Sequence, residues 1–259
     1  FTTSHNLLKI QDLLGNIYEY GPQKYTTDQV ALIHEYHWLD GEINKLERQA
    51  SDNALSLFPD YSKKVALLKS LDFINGDEVL NLKGRIATRI NTCHELVLTE
   101  FIMEAGLMTM TTPQIAALLS CMVSSEAKSQ SNDYRDIGDF DMDLYRRLKD
   151  LEEMVTKILD KQVDLGIDVD PDKFRRECFN PSLVKTVYYW ASGESFADIM
   201  KYTESMEGTI VRSIMRLDEL CQEIIRSVDV IGDPSIIEMM TKVSDVLRRD
   251  IVFCGSLYI

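Results

Sequence analysis

The stretch Tyr189 to Glu223, YWASGESFADIMKYTESMEGTIVRSIMRLDELCQE, constrains the fold more than any other part of the chain. It reads as helix, turn, helix, turn, helix. Ser195 can cap a helix whose apolar residues are Phe196, Ile199 and Met200. Gly208 opens the next helix, where Ile210, Val211, Ile214, Leu217, Leu220 and Cys221 recur at three-and-four spacing. That spacing commits one side of the helix to a core. Arg212, Arg216, Glu219 and Glu223 fall at i, i+4, i+7 and i+11 and share another face. Guanidinium groups displayed this way can meet a nucleic-acid strand. A solvated face with i,i+4 pairs is the plainer reading, because charge on an amphipathic helix is the norm.

The same period governs most of the remaining chain. Glycine and proline number only 12 and 6 in 259 residues, which suits an α-rich fold. The spacing predicts a short amphipathic helix over 5–14, a turn at 15–22, and a long polar helix from Thr27 or Asp28 to about Ser51. That helix has Ile33, Tyr36, Leu39, Ile43 and Leu46 on a narrow stripe, enough for one neighbour rather than a full core. Pro59 should end the linker that follows and Asp60 should cap a helix over 61–71. DFINGDEVLNLKGRIA alternates apolar and polar residues around Asn75-Gly76 and predicts a β-hairpin. Helices are expected at 94–105, 111–127, 141–164, 181–191, 195–203, 207–229 and 235–250. Residues 124–141 read as a flexible crossing and GIDVDPDKF as a loop. IVFCGSLYI closes the chain as an apolar tail that should be buried. The fold class is therefore mainly α: a helical bundle with a small helix-plus-β-hairpin element and an N-terminal, stalk-like helix.

Chemistry is conspicuous by what the sequence omits. A phosphate loop needs G-x-x-x-x-G-K-[ST], so that backbone amides cradle the phosphates, and neither that pattern nor DExH occurs. Lys83 and Arg85 on the expected hairpin strand do not make one. Five cysteines, Cys93, Cys121, Cys178, Cys221 and Cys254, form no CxxC and sit mostly in apolar text, as reduced core residues would. His34 and His37 are spaced to touch one ion, but surface histidines are much the plainer reading. The acidic clusters Asp133 to Asp143 and Asp164 to Asp172 lack the glycine and closing glutamate of a calcium loop. No catalytic residue and no metal ligand is expected. No apolar run reaches the ~18 residues that a membrane span needs. Net charge is −14, which argues against a freestanding nucleic-acid binder while allowing a local basic stripe. A DNA-reading helix-turn-helix at 187–223 is disfavoured by that balance and by Asp218, Glu219 and Glu223.

Several ordered segments carry a family resemblance. They are LFPDYSKKVALLKSL (57–71), LNLKGRIATRI (80–90), ELVLTEFI (95–102), PQIAALLSCMV (113–123), VYYWASGESFADIMKYT (187–203), EGTIVRSIMRLDELC (207–221) and RDIVFCGSLYI (249–259). Together they resemble the C-terminal helical region, often called DSHCT, of superkiller-type DExH RNA helicases, with nuclear exosome-cofactor helicases as close relatives. TMTTPQIAALLS departs from the more acidic segment expected there. The resemblance implies three parts: residues 1–57 as the returning end of an inserted stalk, 58–90 as a small winged-like element, and 91–259 as the helical bundle. It implies a 3′-to-5′ RNA helicase acting in exosome-linked RNA decay, whose two RecA-like motor domains, outside this chain, would hold ATP and Mg²⁺. Helix 207–223 would be the ratchet helix along single-stranded RNA, with Arg212, Arg216 and Glu219 on its strand-facing side. Tyr188, Tyr189 and Trp190 read as core aromatics, with RNA stacking as their alternative. Implied partners are single-stranded RNA, the chain's own motor domains, the cytoplasmic exosome, and superkiller-complex subunits with tetratricopeptide and WD repeats. The implied location is the cytoplasm, or the nucleus for the exosome-cofactor branch. The chain starts on Phe1 and is read as a piece of a longer protein. The competing reading is a protein-interaction bundle with no nucleic-acid contact.

Overall fold

The computed structural model describes residues 27–104, 107, 109–124 and 134–253. The expected helix 5–14, the turn at 15–22, Cys254 and most of the apolar tail lie outside the described residues. Two compact units divide the chain, residues 1–59 and 60–259. The described backbone is almost entirely helical, and no strand forms among the described residues.

In the first unit, the described side chains belong to helix α1 (Thr27–Ser70). Leu32, Tyr36, Leu39, Ile43 and Leu46 are spaced four, three, four and three apart, the interval of a coiled-coil seam. They stay between 46% and 65% exposed. The sequence predicts a stop at Pro59 and a fresh start at Asp60, yet the helical backbone includes both. Proline removes one i→i−4 bond but fixes φ near a helical value, so it weakens a helix without forbidding it.

The second unit contains the core. The expected hairpin reduces to one antiparallel bridge, Ile74 to Leu80, and LKGRIA is helix α2 (Leu82–Ala87) instead of a second strand. No third strand is present among the described residues to extend such a ribbon, and an isolated two-stranded hairpin is marginal. Asn75 still shapes the turn, its side chain accepting from the Val79 N–H at 2.9 Å. Gly84 is buried under that turn, where a Cβ would lie 2.3 Å from the Phe73 carbonyl oxygen. Only glycine lets α2 approach so closely.

Helices α3 (Glu95–Met103) and α4 (Thr112–Val123) follow. In α4 every residue from Ile115 to Val123 is buried, so it forms the middle of the bundle. Gln114 closes its first turn by accepting from the Thr111 N–H at 2.7 Å, and donates to the Asp141 carboxylate. Asp141 in turn caps α6 (Met142–Asp164) through the Leu144 N–H at 2.9 Å. Leu144, Leu148, Leu151, Val155, Ile158 and Leu159 are buried as their spacing predicts, each contributing about 1.5–3 kcal/mol.

Two short helices appear where the sequence predicts irregular chain. Helix α5 (Arg135–Phe140) occupies the end of the expected flexible crossing, whose residues 125–133 lie outside the described residues. Helix α7 (Pro171–Cys178) begins within the expected loop. Asp170 caps it through the Asp172 and Lys173 N–H groups, Pro171 takes the first turn, and Phe174 and Cys178, four apart, are buried. A 3₁₀ turn at Pro181–Leu183 leads into α8 (Val184–Ala191), and α9 (Phe196–Ile199) is capped by Ser195 as expected. Helix α10 (Glu207–Ile231) lies beside α2, α4 and α11 (Pro234–Leu247).

Candidate nucleic-acid interface

Helix α10 divides into sides as its periodicity requires. Ile210, Ile214, Leu217, Leu220, Cys221 and Ile224 are fully buried, and Val211 is half-buried. Asp218 is buried on the side facing α11. It accepts a two-pronged pair from Arg248, both bonds at 2.9 Å, and a third bond from the Ser244 hydroxyl at 2.6 Å. A buried carboxylate is tolerated only when satisfied in this way. Asp218 is therefore part of the α10–α11 joint and does not weigh on the helix's outer charge.

The predicted stripe is split. Arg212 and Glu219 are exposed and Arg216 is half-buried. Arg212 Nη2 donates to the Thr209 hydroxyl at 3.5 Å. Arg216 Nη2 donates to the Thr92 carbonyl at 3.5 Å, so one edge of its guanidinium is turned to the turn between α2 and α3. Glu223, expected on the same displayed face, is instead 4% exposed. Its Oε2 accepts from the Asn91 N–H at 2.9 Å and the Thr92 N–H at 3.0 Å. Spacing puts a residue on a helix face; only the neighbour that arrives from elsewhere decides whether the face is covered. Segment 89–92 covers α10 at residue 223, and periodicity within α10 carries no signal of it.

The aromatic residues beside the site sort differently. Trp190 is fully buried, its Nε1 donating to the Leu247 carbonyl at 3.2 Å. The Arg249 guanidinium lies 3.7 Å from the centre of its ring and donates to the carbonyls of Trp190 and Glu194. Tyr188 and Tyr189 are half-buried among other rings. Tyr189 stacks on Tyr202 at 4.3 Å, and Phe140 meets Tyr188 edge-on at 5.2 Å. Their faces are largely occupied by one another.

Other candidate groups have structural partners. Lys83 donates to both oxygens of Glu100 at 2.9 Å, so it holds α2 to α3. Burial pushes the Cys178 thiol up to about 12 and raises Cys93, Cys121 and Cys221 further, which disfavours the thiolate at each. Burial lowers the His94 imidazole, which packs edge-on to the Phe174 ring at 4.9 Å. Among the described residues no group of three His, Cys, Asp or Glu is arranged to hold a metal ion. No described helix is long and apolar enough to cross a membrane.

Comparison with known proteins gives this geometry a context. Residues 77–254 match the DSHCT (NUC185) domain family. The chain is 36% identical over 227 residues to the antiviral helicase SKI2 of Saccharomyces cerevisiae, covering 86% of this chain and 17% of that protein. It is 33% identical to the ATP-dependent RNA helicase mtr4 of Schizosaccharomyces pombe, covering 84% and 19%. It is 32% identical to superkiller complex protein 2 of Homo sapiens, covering 89% and 18%. The chain thus spans about a fifth of the length of the curated relatives it matches.

Proposed function

The chain belongs to the DSHCT (NUC185) domain family, and from that footing we propose that it is the helical-bundle region of a superkiller-type ATP-dependent RNA helicase acting in exosome-linked RNA decay. Helix α10 lies along single-stranded RNA as the strand moves 3′ to 5′, and the bundle closes the RNA channel. The observation that carries the reading is the placement of exposed Arg212 and Glu219 and half-buried Arg216 on one side of a long helix whose other side is packed into the core. A guanidinium there stacks on a base or pairs with phosphate. Glu219 accepts from a base or ribose hydroxyl and keeps the grip weak enough for stepping.

ATP and Mg²⁺ belong to RecA-like domains beyond these residues. No sequence here has the phosphate-loop pattern, so no step of ATP hydrolysis is assigned to this chain. The relative named superkiller complex protein 2 supports superkiller subunits as partners, and the cytoplasmic exosome is the partner to which that complex would deliver RNA. The nucleus is the alternative location, for the exosome-cofactor branch of the family. The exposed seam of α1 supports residues 1–57 as one leg of a stalk, since a three-and-four apolar stripe is completed by one partner helix.

The test is RNA-stimulated ATPase and unwinding of a duplex with a 3′ overhang, comparing the full-length protein with its Arg216→Ala variant. Loss of one base or phosphate contact worth about 1.4 kcal/mol lowers the unwinding rate constant about tenfold. Basal ATPase and melting temperature should persist. If unwinding is unchanged, the stripe is a solvated face and the bundle acts as scaffold.

A further inference from the structure

Arg89 has no place in the pattern that marks α10, and nothing in its local sequence recommends it. The structure puts it there. It follows the last turn of α2, is exposed, and donates through Nη1 to the Arg226 carbonyl of α10. Three residues on, the Thr92 carbonyl accepts from Arg216, and the Asn91 and Thr92 N–H groups both donate to Glu223. Residues 216, 223 and 226 stand at i, i+7 and i+10, so segment 89–92 is fastened along one face of α10 over ~15 Å. That face also carries Arg212 and Glu219.

The charge on this face differs from that of the protein as a whole. Net charge is −14, yet Arg89 joins Arg212, Arg216 and Arg226 along this face, over ~21 Å of helix. Glu219 is exposed on the same face, and Glu95 is exposed at the start of α3. Glu223 is buried and engaged by two amides. A guanidinium has five N–H donors in one plane, and a single carbonyl occupies one of them. Arg89 is therefore held at a fixed position relative to α10 with most of its donors still available. Fixing a cation in advance reduces the side-chain entropy that a contact must overcome. The planar fork suits the two non-bridging oxygens of a phosphodiester.

We infer that segment 89–92 forms a second wall of the RNA track on α10, and that Arg89 is a phosphate-contacting cation preset by the Arg226 carbonyl. The inference rests on the reading of α10 given above. Contact is with the backbone, so it is independent of base sequence.

The experiment measures binding of the full-length protein to a labelled oligouridylate of about 20 nucleotides by fluorescence anisotropy, without nucleotide and across a salt series. Arg89→Ala should weaken binding about three- to tenfold and lower the slope of log Kd against log salt by about 0.7, one single-strand phosphate contact. Arg89→Lys keeps the charge and should keep most of that slope. Arg146→Ala, which removes an exposed cation paired with Asp143 on α6, should change neither quantity and controls for general charge. If Arg216→Ala weakens binding and Arg89→Ala does not, this inference is overturned while the α10 reading stands. If neither variant matters, both fail. Equal loss in Arg89→Ala and Arg89→Lys with an unchanged salt slope would make Arg89 a purely structural tie and would also overturn the inference.

Discussion

Glu223 offers the sharpest test of how α10 is built into the fold. Both of its hydrogen bonds converge on Oε2, from Asn91 at 2.9 Å and Thr92 at 3.0 Å, in a residue 4% exposed. A hydrogen bond to a charged group contributes about 1.5–3 kcal/mol net. The two together give an upper range of about 3–6 kcal/mol. Asn91 is exposed and Thr92 half-buried, so water can recover part of this when the carboxylate is removed. Glu223→Ala should accordingly cost about 3 kcal/mol. Glu223→Gln keeps an amide oxygen that can accept both N–H groups, but without charge assistance, which roughly halves their strength. Its expected cost is about 1.5 kcal/mol. In a domain of this size 1 kcal/mol moves the melting temperature by about 2–4 °C, so the expected falls are about 6–12 °C for Ala and about 3–6 °C for Gln. Calorimetry on the two variants and the parent reads these directly. A cost for Ala no greater than that for Gln, or below about 1 kcal/mol, would show that the carboxylate does not anchor segment 89–92.

Two further outcomes follow from local geometry. Gly84→Ala would gain about 1 kcal/mol of helix propensity, but its Cβ would meet the Phe73 carbonyl oxygen at 2.3 Å and Leu80 Cδ2 at 2.9 Å. Overpacking against backbone wins, and denaturant titration should show a net loss of about 2 kcal/mol; a neutral or stabilised variant would contradict the close approach of α2. The Asp170 carboxyl is held below its ordinary value of 3.8, first by the Lys173 N–H that it accepts. Its folded pKa is depressed, so its contribution is fully present above 3.8 and is lost as pH falls below that value. Asp170→Ala should therefore destabilise at neutral pH, and the gap to the parent should narrow on acidification below 3.8; a gap that stays constant would remove the charged cap from the account.

Much of the bundle was legible because its helices announce themselves locally. Leu144 to Leu159 and Ile210 to Cys221 repeat at helical spacing over several turns, and that pattern needs no knowledge of the rest of the fold. Helix α7 escaped notice because eight residues with two buried side chains, Phe174 and Cys178, give barely one period. The Asn75-Gly76 hairpin signal was sound as a turn, and the bridge from Ile74 to Leu80 records it. What it could not show was that α2 would fold under the turn through Gly84 rather than extend it. The candidate site divides along the same line. Arg212, Arg216 and Glu219 follow from spacing within one helix. The burial of Glu223 and the arrival of Arg89 depend on a segment more than a hundred residues earlier in the chain. Such contacts leave no periodic trace in either partner.

The Arg249 clasp over Trp190 sets an order of events during synthesis. Its bond to the Trp190 carbonyl joins residues 59 positions apart. At about 5–20 residues per second, roughly 3–12 s separate the emergence of the tryptophan from that of the arginine which covers its ring and takes up the carbonyls at the end of α8. Throughout that interval the nascent chain carries an aromatic side chain whose lid has not been made. The bundle is thus a structure closed from behind: α8 can form early, but the cover over Trp190 is completed only once Arg249 has been made.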